Sequence, residues 1–143
     1  MQIGSLIWIG IKGLSLTHEE KKYINSFSIS GVILFKKNID SLSQLFDLCR
    51  EIHSLKPKPL ILIDREGGPV DRLKHLPEFY PWPAPSILAK KCSLDEIKKT
   101  AVFMAKELKA LGISINFAPC VDIPSVSNSL FNGRLWGITL QQD

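Results

Sequence analysis

The sequence predicts an α/β fold built on a parallel sheet, and three observations carry that reading. Four apolar stretches alternate with three amphipathic ones along the 143 residues. Two of the apolar stretches are continuously hydrophobic, as strands buried on both faces must be. Each of the three amphipathic stretches opens with a helix-capping pattern.

The strand candidates are Leu6–Ile11 (LIWIGI), Val32–Phe35 (VILF), Leu60–Ile63 (LILI) and Ile113–Ala118 (ISINFA). Pro57 and Pro59 lead into the third. The first helix opens at Thr17-His18-Glu19-Glu20, where the Thr hydroxyl can accept from the Glu20 backbone while the carboxylate reaches back. Ser41-Leu42-Ser43-Gln44 and Ser93-Leu94-Asp95-Glu96 have the same form. Behind the second cap, Leu42, Leu45, Phe46, Cys49 and Ile52 form one apolar stripe. Behind the third, Ile97, Ala101, Met104, Ala105, Leu108 and Leu111 do so, and Gly112 supplies a left-handed stop. Strict β/α alternation means parallel strands joined by right-handed crossovers. A doubly wound sheet and a (β/α)8 barrel both begin this way. The glycine fingerprint of dinucleotide-binding folds is missing, since Gly10 and Gly13 do not make G-x-G-x-x-G, and no Walker A sequence occurs. A barrel takes about 250 residues, so these strands suffice for about half of one.

Composition narrows the function classes. Hydrophobic residues are 45% and charged residues 22%, as in a folded globular domain, so a single domain over residues 1–143 is expected. No apolar run approaches the roughly 20 residues of a membrane helix, and Leu6–Ile11 lacks the flanks of a signal peptide. The net charge of +4 is spread over lysine-bearing helix faces, which speaks against a nucleic-acid partner. Cys49, Cys92 and Cys120 form no C-x-x-C pair. Neither a disulfide framework nor a metal site is expected, and a reducing cytoplasm is the simplest setting.

Chemistry concentrates where the third strand ends. Asp64-Arg65-Glu66-Gly67-Gly68-Pro69-Val70-Asp71-Arg72 packs five charges and two glycines into nine residues. A carboxylate at the mouth of an apolar strand is costly unless paired or used. The Pro-rich segment that follows, to Pro85, leaves the C-terminal end of a strand, where barrel enzymes place their sites. A turn alone would explain Asp64 and the glycines, but charges this dense beside so long a loop favour function. As an acid/base pair, Asp64 and Glu66 would stand about 6.5 Å apart at the backbone. That falls between the retaining and inverting separations of roughly 5 and 9 Å, so spacing decides nothing.

Four blocks together resemble glycoside hydrolase family 3, most closely its bacterial β-N-acetylhexosaminidase (NagZ-type) branch. They are Ser30-Gly31-Val32-Ile33-Leu34-Phe35-Lys36-Lys37-Asn38, Asp64-x-Glu66-Gly67-Gly68-x-Val70-x-Arg72, Asn116-Phe117-Ala118-Pro119-Cys120-Val121-Asp122 and Asn132-Gly133-Arg134-Leu135-Trp136-Gly137. The resemblance implies a (β/α)8 TIM barrel of which this chain forms about the first half. It implies a small carbohydrate partner, terminal β-N-acetylglucosamine of cell-wall fragments, and no cofactor or metal. It assigns substrate binding to Asp64, Arg72 and Arg134. Asp122, which ends the fourth stretch, either orients Arg134 or is a strand-end turn aspartate. The family's nucleophile and general acid/base belong to later segments with no counterpart here, so no catalytic residue is expected within these 143, and none of His18, His53 and His75 fills a family position. Half a barrel would also leave strand edges open to self-association. Departures from the family pattern are Pro69 for Arg, Leu135-Trp136 for a small residue and Phe, and Ile138-Thr139-Leu140 for an acidic helix start. Trp8 and Trp82 are expected to pack rather than stack on sugar, and Lys36-Lys37-Asn38 to form a solvated loop.

Overall fold

The computed structural model describes residues 3–122 and 131–137. In chain order its elements are β1 (Trp8–Gly10), α1 (His18–Phe27), β2 (Gly31–Leu34), α2 (Leu42–His53), β3 (Leu60–Ile63), β4 (Arg65–Gly67), β5 (Val70–Asp71), α3 (Pro85–Lys91), α4 (Leu94–Ala110) and β6 (Ile115–Asn116). Strands β1, β2, β3 and β6 form one parallel sheet in that spatial order. Gly31 pairs with Trp8 on one side and Leu60 on the other, and Leu62 pairs with Ile115. Sequential order with no reversal builds the wall of a barrel, whereas a doubly wound sheet reverses at its switch point.

Two capping boxes close as expected. The Glu20 backbone N–H donates to Thr17 Oγ1 at 3.1 Å, and the Thr17 N–H donates to Glu20 Oε2 at 2.8 Å. Burial pushes the Glu20 carboxyl up, but the N–H donors of Thr17 and Lys12 bring it to a net value below the usual range. The box at Ser93 also closes. The one at Ser41 closes by half: Ser41 Oγ accepts from the Gln44 backbone. The Gln44 side chain instead accepts from the Asp40 N–H and donates to the carbonyls of Leu14 and Asn38, tying two loops together.

Alternation along the strands separates two faces. Val32, Leu34, Ile61 and Ile63 point to the helices and join Ile24, Leu45, Leu48, Cys49, Ile52 and Leu108 in one buried cluster. Burial there pushes the Cys49 thiol up to about 12. The opposite, inner face carries Trp8, Leu60 and Leu62. Trp8 is 42% exposed and Leu60 44%. Trp8, expected in the core, stacks instead on Phe117, with ring centroids 5.8 Å apart. Gly31 makes room for it, since a Cβ there would lie 2.8 Å from Trp8 Cδ1.

Other expectations need correction. The first and fourth strands are shorter than their apolar stretches, and β6 pairs with β3 alone. In α2 the buried stripe runs through Leu48, and Phe46 is exposed. In α4, Ala101 and Ala105 are exposed, because no described element covers that part of the helix. Lys36 and Lys37 are exposed as expected. Asn38, however, is fully buried and donates to the carbonyls of Ile11 and Gly13. Ile138, Thr139 and Leu140 lie outside the described residues.

Candidate functional site

The charged segment after β3 folds into an antiparallel hairpin, β4 against β5. Its turn requires glycine twice. Gly67 has φ +94° and Gly68 φ +59°, and a Cβ at Gly67 would lie 2.4 Å from the Pro83 carbonyl oxygen. The Gly68 N–H donates to the Trp82 carbonyl at 2.8 Å, so the Pro-rich segment lies directly on the turn. Trp82 is fixed by packing, as expected: it stands edge-on to Tyr80 and Phe103 and donates from Nε1 to Glu107 Oε2.

The hairpin returns the chain to the end of β3. The Arg72 N–H donates to the Asp64 carbonyl at 3.2 Å, and Arg72 Nη2 donates to Asp64 Oδ2 at 2.6 Å. Both side chains remain partly open, Asp64 at 20% and Arg72 at 29%. Two of the three anticipated binding residues are therefore joined at one strand mouth.

The residue between them behaves differently. Arg65 is fully buried. Its Nη1 donates to Glu107 Oε2 on α4 at 3.0 Å, its Nε lies 3.5 Å from Asp71 Oδ1, and its guanidinium sits 5.0 Å from the centre of the Phe79 ring. Arg65 pins the hairpin to the helix layer and has no access to solvent. His75, also in this loop, lies with Nε2 3.1 Å from the Ile39 carbonyl and serves the same tethering.

Arg134, the third anticipated residue, meets Glu66 in a two-point fork. Nε donates to Oε2 at 2.9 Å and Nη2 to Oε1 at 2.8 Å. The Glu66 side chain is only 5% exposed, against 29% for Arg134. The bond to Glu66 raises the Arg134 guanidinium above its usual value; partial burial opposes this, and the negative charges of Glu66 and Asp122 add to the rise through space. Asp122, expected as a residue that could orient Arg134, acts on it through its charge; the two-point hydrogen-bonded partner is Glu66. Gly133, at φ +78°, accepts from the Ser86 N–H and seats the same segment beside α3.

A cavity of about 350 Å³ lies on the helix side, between Arg65, Glu66, Ala101, Met104, Asn116 and Trp136. Asp64 and Arg72 do not line it. Among the described residues no group of three His, Cys, Asp or Glu could hold a metal ion. Nor is any described helix long and apolar enough to cross a membrane. The site as built offers carboxylate acceptors and guanidinium donors, the set that binds hydroxyl and amide groups. The residues missed in sequence are Glu66 as a partner and Arg65 as an anchor. Their charge density is visible in sequence, but their partners, Arg134 and Glu107, come from distant segments.

Comparison with known proteins places this geometry. A family model described as glycosyl hydrolase family 3 N terminal domain matches residues 1–141. A beta-hexosaminidase of Idiomarina loihiensis is 38% identical over 127 residues, covering 85% of this chain and 38% of the relative. Crystal structures of NagZ from Neisseria gonorrhoeae superpose with TM-scores of 0.78 for the native enzyme and 0.75 for the complex with N-trifluoroacetyl-D-glucosamine. Their identities are 30% and 29%, and both cover 92% of this chain and 41% of theirs. The chain thus spans about two-fifths of the length of these relatives. Its parallel sheet in sequential order is part of a TIM-barrel-like wall, and the chain belongs to glycosyl hydrolase family 3, as its N-terminal domain, related to the β-N-acetylhexosaminidases.

Proposed function

We propose that these residues form the sugar-binding part of a retaining glycosidase that removes terminal β-N-acetylglucosamine from peptidoglycan fragments in the cytoplasm. The observation that carries this reading is the Asp64–Arg72 pair, partly open at the C-terminal mouth of a parallel strand. An ionised carboxylate only accepts and a guanidinium only donates, so together they can satisfy adjacent hydroxyls in both directions. The relatives named beta-hexosaminidase and the neighbour solved with N-trifluoroacetyl-D-glucosamine support the choice of sugar. The resemblance assigns the nucleophile and general acid/base to other segments of the family, so the residues described here are expected to bind the sugar rather than to react with it.

The test is titration of the chain with N-acetylglucosamine by NMR, beside an assay with an aryl β-N-acetylglucosaminide. Binding should weaken in Asp64→Ala by about 1.5–3 kcal/mol for each charge-assisted hydrogen bond lost, with no turnover by either protein. Hydrolysis above the buffer blank that survives Asp64→Ala would overturn the reading.

A further inference from the structure

We infer that Glu66 is a positioning residue: it holds Arg134 in the one orientation in which that guanidinium can donate to the sugar. The inference rests on the sugar-binding reading above and adds to it the residue that sets the geometry.

Glu66 first looks like a candidate acid or base, because it follows Asp64 by two residues. The structure gives its oxygens another task. Each accepts one bond from Arg134, Oε2 from Nε and Oε1 from Nη2. A two-point fork fixes both the plane and the rotation of a guanidinium, which a single bond leaves free. The carboxylate itself cannot wander. Glu66 lies in β4, next to a glycine turn that closes against Pro83 and Ala84. It is nearly buried while Arg134 is not, so the pair has a fixed end and an outward end. The segment that bears Arg134 has little regular structure of its own, a short turn in which the Arg134 N–H donates to the Phe131 carbonyl. The fork ties the Arg134 guanidinium to β4, across the fold, while its backbone segment is seated separately by the bond from the Ser86 N–H to the Gly133 carbonyl.

The experiment follows the Arg134 Nε–Hε signal in ¹H–¹⁵N spectra of the 143-residue chain, assigned by its loss in Arg134→Lys, together with N-acetylglucosamine titration. In the wild type the signal should be slow to exchange. Glu66→Gln should speed its exchange and weaken sugar binding about tenfold, the loss of one charge-assisted bond set. Arg134→Lys keeps the charge but not the fork; it should weaken binding as much, and the double variant no further. Should Glu66→Gln fail to fold, Arg134→Lys carries the affinity test alone, and unchanged affinity there overturns the inference. Persistence of the slow signal in Glu66→Gln also overturns it. A lost signal with unchanged sugar affinity, while Asp64→Ala still weakens binding, overturns the positioning role and leaves the sugar reading standing. Absence of sugar binding in the wild type sinks that reading and this role together; exchange at Arg134 then reports a structural contact only.

Discussion

On the helix side of the sheet, Ile61 and Ile63 are fully buried in a cluster with residues of α1, α2 and α4. On the other side of the same strand, Leu62 is buried but Leu60 is nearly half exposed, and Trp8 and Phe117 cover each other only in part. The ion pairs after β3 repeat the contrast. Arg65 is sealed against Glu107 and Asp71, whereas Asp64–Arg72 stays in touch with water. The lesson is that a helix layer can be completed by neighbours in sequence. The inner face of a barrel needs strands from across a closed ring.

The largest effect should come from the sealed side. Arg65→Ala strands the buried carboxylate of Asp71 and removes the cation partner of Glu107, so it should cost about 3–5 kcal/mol in denaturant unfolding. Asp64→Ala, at the partly open pair, should cost about 1 kcal/mol or less. Equal costs would erase the distinction between anchor and site. Next, Ile61→Ala should destabilise by about 2–5 kcal/mol, a buried-side truncation. Leu60→Ala, one residue away on the inner face, should cost clearly less, because nearly half of that side chain is already wet. A Leu60→Ala penalty matching that of Ile61→Ala would mean the inner face is covered in solution. The smallest effect concerns His53, at the end of α2. Burial, and then the charge of Lys58, push its imidazole below the ordinary value. The unfolded chain therefore binds the proton more readily. Stability is full above the unfolded value of about 6.5 and declines as pH falls through it toward the lower folded value. Unfolding midpoints measured between pH 8 and pH 5 should show this decline, and His53→Gln should flatten it.

Much of this contrast was legible in sequence, and particular residues show where legibility ended. Leu60–Ile63 was read to the residue because a central parallel strand is apolar throughout and here is bracketed by Pro59 and Asp64. Thr17 and Ser93 marked helix starts because their partners lie three residues away. The positive φ of Gly67 and Gly68 followed from the turn. Three things escaped. α3 carries no side-chain cap; it begins on Pro85 after Ala84. The exposure of Trp8 depends on what lies above Gly31, which no local pattern encodes. The Glu66–Arg134 fork joins residues far apart in the chain, and a pairing of that range is set only when the hairpin and the Arg134 segment meet. Family likeness pointed to Asp64, Arg72 and Arg134, but the neighbour suggested for Arg134 was Asp122, and the fork is made by Glu66.

The Trp8–Phe117 stack has a practical consequence. Its two rings come from the first strand of the sheet and from the residue just past its last strand, so their separation acts as a caliper on sheet curvature. Flattening the wall draws the rings apart, and tightening it presses them together. The indole's near-ultraviolet signal thus becomes an intrinsic gauge of whether the half-cylinder keeps its bend when something fills its hollow.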